Sequence, residues 1–513
     1  MTPTFAGATG AGYAALHLAF SRRRYTSAMT DPRRLSAVRG REHRARRLAA
    51  RALAPAVSRV SRLTGHAGTS FPGYVAERVD PGILADLADG IQRPIVVLGT
   101  NGKTTTTRLI AAMLEHSLGV RPISNRSGAN LRQGIVTTLL SDARPSERPP
   151  AVLEVDEVAF SELALVLRPA IVVVMNLLRD QLDRYGEIDA VIARWRHDFS
   201  QLPTDTILVA CADDARVESV IRDAGRPVVR FGLWPSAAGD PLRGGTDGGP
   251  IPDAPSCPTC GSLVAFDGAR WMGLGEWACP GCGDSRAMPD VGVRIADGDP
   301  GDDLVHLELA MRRSGDGLTG IGRVTVPLIG SAAAYDVAAA VAAGLAVGVP
   351  PRDAVTALDG TGPAFGRLEE IAVGDRTVLL TLAKNPTSVA HAVEAAARRH
   401  PDHVLLGLAD RAADGRDTSW IWDARLDALA GSVPLTLTGV SADDLAVRLK
   451  YGGGPAVRSP VPMTVDRHVD SALSTALERV PPDGTLMVVA TYTILWRLRR
   501  ALERRRLAPS LPR

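Results

Sequence analysis

Four groups of residues in this chain have types and spacings suited to chemistry. The first is Gly99-Thr100-Asn101-Gly102-Lys103-Thr104-Thr105. The β-branched run Val96-Val97-Leu98 stops at it, and Arg108 to His116 reads as the helix that follows. A glycine-bearing turn between strand and helix lets backbone N–H groups approach phosphate oxygens, and the helix N-terminus adds positive potential. Lys103 offers a point charge to the terminal phosphates and Thr104 a hydroxyl for Mg²⁺. The spacing departs from the common G-x-x-x-x-G-K-T form, because Val97 stands five positions before Gly102. The second group is Glu154, Asp156 and Glu157, at the end of the apolar run that begins at Ala151. Carboxylates at the C-terminal end of a parallel strand lie beside such a phosphate loop, whereas a bland reading makes them a solvated strand end.

The third group is Cys257-x-x-Cys260 and Cys279-x-x-Cys282. Each knuckle turns two thiolates to one side, and two knuckles complete a tetrahedral Zn²⁺ site with no position left for substrate. The site is therefore read as structural, with redox dithiols as the rival. The fourth is the turn Asp414-Gly415-Arg416-Asp417, after the strand His403 to Leu408. A solvated, cap-forming loop is the default for such a run. Trp420 and Trp422 follow it and are expected to pack underneath, being too apolar to leave in water. The acidic turn itself is expected to be exposed.

These groups need a sheet to hold them. Pro169 to Asn176, Thr206 to Cys211, Pro227 to Phe231, Leu304 to Glu308, Gly322 to Gly330 and Val378 to Leu382 read as strands, and Ala332 to Val347 as an alanine-rich helix. Cys211 ends an apolar run and reads as a buried, inert thiol. Two weak helices are expected between Arg46 and Asp89, around the loop Gly65 to Gly73. The fold class is α/β. Residues 46–365 are expected to form a phosphate-loop ATPase domain, with the zinc ribbon at about 250–290. Residues 366–513 are expected to form a smaller Rossmann-like domain, and residues 1–45 a basic, disordered extension.

Bulk properties narrow the class. Of 513 residues 45% are hydrophobic, enough for real cores, and the net charge of +3 makes no case for nucleic acid. No run approaches the length and apolarity of a membrane span. The basic cluster Arg22-Arg23-Arg24 follows the apolar stretch Phe5 to Phe20 instead of preceding it, which argues against a secretory signal. A cytoplasmic protein, at most peripheral to a membrane, is expected.

Gly-Thr-Asn-Gly-Lys-Thr-Thr-Thr from Gly99 resembles the phosphate loop of Mur ligases and folylpolyglutamate synthetases. Leu382-Ala-Lys384-Asn385-Pro386, the turn Asp414 to Asp417 with Trp420 and Trp422, Arg179 to Glu187, and Ala490-Thr-Tyr-Thr493 resemble the MurT subunits of lipid II isoglutaminyl synthases. So does the scarcity of chain before the phosphate loop, where UDP-muramyl ligases carry a further domain. The resemblance implies ATP as cosubstrate, bound by Gly99 to Thr105 and met by Arg367 after domain closure. It implies Mg²⁺ on Thr104 and Glu154. It implies amidation of the α-carboxyl of D-glutamate in the lipid II stem peptide, through an acyl-phosphate, with ammonia from a GatD-type glutaminase partner. In that family an aspartate of the turn faces the partner's active site, so Asp414 or Asp417 takes that role here. Gln181 replaces a histidine that Mur ligases place on a second Mg²⁺, and Ala333 and Asp336 replace asparagines near the adenine. The chain offers no cysteine–histidine pair of its own for glutamine hydrolysis, since four of its five cysteines belong to the knuckles. A folylpolyglutamate-synthetase-like amino-acid ligase and a non-catalytic ATP-binding scaffold are the alternatives.

Overall fold

The computed structural model describes residues 70–508, with 49, 50 and 57, except 127, 143–147, 179–187, 235–254, 272, 297–303, 313–316, 328–330, 362–366, 412–413, 431–432 and 453–461. The expectations for residues 1–45, the loop 65–69 and the segment Arg179 to Glu187, with Gln181, therefore lie outside the described residues. Phe71–Val79 and Ile83–Asp89 are helices, so the expected loop ends before Phe71.

The first body is a nine-stranded sheet built from β1 (Ile95–Leu98), β2 (Ile123–Ser124), β3 (Ala151–Glu154), β4 (Ile171–Val174), β5 (Ile207–Cys211), β6 (Val228–Leu233), β9 (Val291–Ile295), β10 (Val305–Arg312) and β11 (Leu318–Val326). Its order is β11-β10-β9-β6-β5-β4-β1-β3-β2. The chain leaves β1 for the far edge, returns through β3, and resumes with β4 on β1's other flank. β1 therefore sits at the switch point, where the loops at the strand C-termini open a crevice. The alternation of side chains along each strand separates two cores. Ile95, Val97, Val152, Ile171 and Val173 face one layer of helices, and Val96, Leu98, Leu153, Val172 and Val174 face the other. Burying each such side chain contributes about 1.5–3 kcal/mol. The alanine-rich helix is Ala332–Val347, and its small side chains let it lie closely over the sheet beside Lys103–Leu118.

Between β6 and β9 the chain makes a separate antiparallel hairpin, β7 (Ala265–Trp271) and β8 (Leu274–Ala278), which stands on the cysteine knuckles. The second body is a six-stranded sheet with order β12-β13-β17-β14-β15-β16. Its strands are β12 (Arg367–Val373), β13 (Arg376–Leu382), β14 (His403–Gly407), β15 (Leu435–Thr438), β16 (Met463–Val465) and β17 (Thr485–Ala490). All its pairs are parallel except β12 with β13. Alternation again makes two cores, with Val378, Leu380 and Val488 on one face and Val404, Leu406 and Val489 on the other. Among the described residues no helix is long and apolar enough to cross a membrane.

Candidate functional site

The phosphate loop leaves the C-terminal end of β1 and turns into Lys103–Leu118, a longer helix than the run from Arg108 suggested. Its two glycines have separate structural reasons. Gly99, at φ 126°, lies so close to Asn176 that a Cβ would meet that residue's backbone at 2.8 Å. Gly102, at φ 86°, would place a Cβ 2.3 Å from a carboxylate oxygen of Asp336. Both positions favour glycine on backbone grounds as well. Asn176 then clamps the loop from β4: its carbonyl accepts from Thr100 N–H at 2.9 Å, and its side chain bonds the Asn101 backbone at 3.0 and 3.1 Å. The Thr100 hydroxyl completes the clamp by donating to Leu178 O at 3.0 Å.

Lys103 and Thr104 stand side by side at the helix start, each facing a carboxylate from the β3 end. Lys103 Nζ donates to Glu157 Oε1 at 2.9 Å and also contacts the Gly99 carbonyl. Burial works to lower the lysine's pKa, but the carboxylates of Glu157 and Glu154 outweigh it and hold the ammonium above its ordinary value. The Thr104 hydroxyl donates to Glu154 Oε2 at 2.7 Å, and Asn130 Nδ2 donates to Glu154 Oε1 at 2.9 Å. Asn125 fixes the Glu154 backbone from both sides, at 2.9 and 2.8 Å. The three carboxylates of this strand end thus divide their work. Glu154 meets the threonine and Glu157 the lysine, while Asp156 caps Ala159–Leu167 through Val158 N–H at 3.1 Å.

Beyond the loop a cleft runs between the two bodies. Asn101, Gly102 and Thr105 form its floor, Ala333 and Asp336 one wall, and Ser388 and His391 the other. Asp336 is buried and accepts from the Thr106 hydroxyl at 3.3 Å. Ala333 and Asp336, which depart from the asparagines of Mur ligases, therefore both belong to the wall of this cleft. Arg367 begins β12, but its side chain lies outside the described residues. Asn385 caps the helix Pro386–Arg399 in a reciprocal box with Ser388.

The knuckle cysteines converge far along the chain from this cleft. Their four Sγ atoms lie within 4.8 Å of one another, with 3.6 Å between Cys257 and Cys282 and 3.4 Å between Cys260 and Cys279. Those distances exceed a disulfide by far and approach the roughly 3.8 Å spacing of thiolates about 2.3 Å from one tetrahedral ion. Asp284 ties the knuckles together, accepting from Thr259 Oγ1 at 2.7 Å and pairing with Arg222 at 3.0 Å. Cys211 is fully buried, and that burial raises its thiol pKa well above the usual range, as an inert core thiol requires.

The acidic turn differs from its expectation. Asp414 is buried, not exposed, because its carboxylate accepts from Thr493 N–H at 2.7 Å and so serves the first turn of Tyr492–Arg504. Burial raises its pKa. Asp417 is exposed and bonds locally to Ser419 N–H at 2.8 Å. The expected tryptophan packing also needs correcting. Ile421 fills the core, Trp420 is only partly covered, and Trp422 is 50% exposed with Arg448 across its ring. Asp414 and Asp417 are not near Lys103 in the chain or on the same body, so the two halves of the expected chemistry stand on different sheets. Asn176 is a neighbour of the loop whose contacts carry no local motif.

The sequence matches the Mur ligase middle domain over residues 97–241 and the MurT ligase C-terminal domain over residues 382–495. Among solved structures, a pseudomurein peptide ligase type C from Methanothermus fervidus has TM-score 0.58 at 16% identity, covering 80% of this chain and 78% of that one. MurF ligase from Thermotoga maritima, in complex with ADP, has TM-score 0.56 at 12% identity, covering 84% of each. These likenesses show a Mur-ligase-like α/β fold. Among curated relatives, the MurT subunit of lipid II isoglutaminyl synthase (glutamine-hydrolyzing) from Streptococcus pneumoniae (strain ATCC BAA-255 / R6) is 30% identical over 445 residues, 86% of this chain and 93% of the relative. The MurT subunit from Staphylococcus aureus (strain COL) is 28% identical over 446 residues, 86% of this chain and 94% of the relative. With that identity sustained over nearly the whole length of the relative, and with both domain models matched in order, the chain belongs to the MurT ligase family.

Proposed function

We propose that this chain is the synthetase subunit of a lipid II isoglutaminyl synthase, amidating the α-carboxyl of the stem-peptide D-glutamate to D-isoglutamine. The observation that carries the reading is the pairing of Lys103 and Thr104, at the start of a helix, with two buried carboxylates at the adjacent strand end. A carboxylate oxygen of the substrate attacks the γ-phosphorus of ATP and ADP departs. Ammonia then adds to the acyl carbon of the acyl-phosphate, phosphate departs, and the surplus proton goes to solvent. Lys103 stabilises the charge on the transferred phosphoryl group, and the loop N–H groups of Gly99 to Thr105 orient it. Mg²⁺ held by Thr104 and Glu154 would neutralise phosphate charge. Arg367, at the start of β12, would meet the nucleotide from the second body.

Residues 46–365 carry activation in this reading, and residues 366–513 carry docking of a GatD-type glutaminase. The relatives' names speak for a partner subunit, and so does the chain's own chemistry. Free ammonia is scarce at neutral pH, and among the described residues Cys211 is buried while the other four cysteines cluster together. That cluster is proposed to hold a structural Zn²⁺: four thiolates with no open position suit a soft, tetrahedral ion. The lipid-linked substrate would draw the enzyme to the inner face of the membrane.

The test is to co-purify the chain with its partner, supply lipid II, glutamine and ATP, and look by mass spectrometry for carboxyl-to-carboxamide exchange. Lys103→Ala should abolish the product while leaving the circular dichroism unchanged. Near-normal turnover of that variant would sink the site assignment. A product lengthened by an amino acid would favour the folylpolyglutamate-synthetase-like alternative.

A further inference from the structure

The cleft between the bodies has a fastening of its own. Glu394 lies on Pro386–Arg399, in the second body, and its two carboxylate oxygens are used separately. One accepts from Trp271 Nε1 at 3.0 Å and the other from the backbone N–H of Ser331 at 3.0 Å. Trp271 ends β7 of the knuckle hairpin, and Ser331 immediately precedes Ala332–Val347, the helix that forms the opposite wall of the cleft. One side chain therefore joins three segments that are remote in sequence. The donors suit a carboxylate, since an indole N–H and the free N–H at a helix start both point positive charge at it.

The hairpin is an unyielding partner. Trp271 is 1% exposed, lies 6.1 Å from the Tyr335 ring, and meets the His391 ring edge-on at 4.8 Å. Tyr335 donates its hydroxyl to Asp213 at 2.9 Å, and Asp213 pairs with Arg286 at 3.0 Å just beyond the second knuckle. The Asp213 carbonyl also accepts from Gly275 N–H at 3.0 Å in β8. The hairpin is thus tied into the first body before it reaches across. His391 lies one helical turn before Glu394 on the same face and lines the cleft itself.

We propose that Glu394 is a positioning residue that fastens the second body over the phosphate loop, with Trp271 of the knuckle hairpin as its counterpart, and that this fastening sets nucleotide affinity. The inference rests on the reading that the cleft takes a nucleotide. Binding needs both walls in place, so the apparent dissociation constant rises as the fastened fraction falls. Neither wall supplies chemistry, so turnover at saturating nucleotide should be retained. Glutamine is not an equivalent replacement: an amide offers one acceptor oxygen where two donors wait.

The test compares the full-length wild type with Glu394→Ala, Glu394→Gln and Trp271→Phe, the last deleting the N–H while keeping an aromatic ring. Affinity for the non-hydrolysable analogue AMPPNP should fall about tenfold or more in Glu394→Ala and by less in the other two. The KM for ATP should rise with little change in kcat of the partner complex. Hydrogen exchange at the Ser331 amide should accelerate in Glu394→Ala without nucleotide present, while the strands of both sheets stay protected. Unchanged exchange at Ser331, or unchanged AMPPNP affinity in a variant whose sheets remain protected, overturns the proposal. If Glu394→Ala does not fold, Trp271→Phe decides on the same readouts. Failure of the wild type itself to bind AMPPNP would instead overturn the nucleotide reading of the cleft, and Ser331 exchange would still report on the fastening.

Discussion

The ammonium of Lys103 and the carboxylate of Glu157 lie 2.9 Å apart with both side chains buried. In the proposed function a nucleotide phosphate would share or displace that partner. Removing one member of a buried pair leaves the other charge uncompensated, at a cost of about 3–5 kcal/mol. Glu157→Gln should therefore melt well below the wild type. Saturating Mg-nucleotide should raise its melting temperature by more than it raises that of the wild type, because phosphate then supplies the missing charge. Equal shifts in differential scanning fluorimetry would show that Lys103 does not meet the phosphates.

The two aspartates of the turn should separate experimentally. Asp414 serves the start of Tyr492–Arg504 from inside, whereas Asp417 is exposed. Asp414→Ala should destabilise the fold by about 1–2 kcal/mol, as the loss of a helix-terminal acceptor does. Asp417→Ala should leave urea unfolding unchanged. If Asp417 serves a glutaminase, that variant should lose glutamine-driven amidation and regain product with ammonium salt at high pH. Retention of full glutamine-driven activity in the Asp414→Ala/Asp417→Ala double variant would exclude the turn from partner function.

Metal analysis of freshly purified protein should find about one Zn²⁺ per chain. Cys257→Ser should lower thermal stability more than it lowers turnover per folded molecule, since no knuckle cysteine lines the cleft. A metal-free preparation with unaltered melting would refute the structural role.

His403, fully buried in β14 with a ring nitrogen 2.9 Å from Thr436 Oγ1, has its pKa lowered to about 4, first by burial and then by the charge of Arg479. Above its ordinary value of about 6.5, both folded and unfolded forms are neutral and its contribution to stability is complete. Between about 6.5 and about 4 the unfolded chain takes up a proton that the folded chain refuses, so stability falls with pH by up to about 3 kcal/mol. His403→Gln should flatten that part of the stability profile. Parallel profiles for the two proteins would assign the acid sensitivity elsewhere.

How much of this was legible in the sequence depends on how locally each feature is encoded. The phosphate loop, the strand Ala151–Glu154 and the helix Ala332–Val347 are written in adjacent residues, because turn chemistry and side-chain periodicity are local. The cysteine cluster was legible from its spacing alone. Glu157 was visible as an acidic residue, but its lysine partner is set by how β3 lies beside β1. Asp414 looked like a solvated charge because its acceptor role depends on Thr493, on a helix far along the chain. Trp422 was expected to be covered, yet the neighbouring Ile421 took the core position and left the indole against Arg448. Nothing near Glu394 in sequence signals Trp271 or Ser331.

The cysteine insert has one more consequence, for the order in which the chain can fold. β6 and β9 are parallel neighbours, with Phe231 opposite Val291, yet the whole knuckle and hairpin segment runs between them. β10 and β11 can join the sheet only after that long excursion closes, and the entropy of closure is spent before any pairing repays it. A metal on the four thiolates would tie Cys257 and Cys260 to Cys279 and Cys282 within that excursion and shorten the loop that remains to be closed. The insert would then act as an internal splint, and a chain made without metal should complete its sheet more slowly than one made with it.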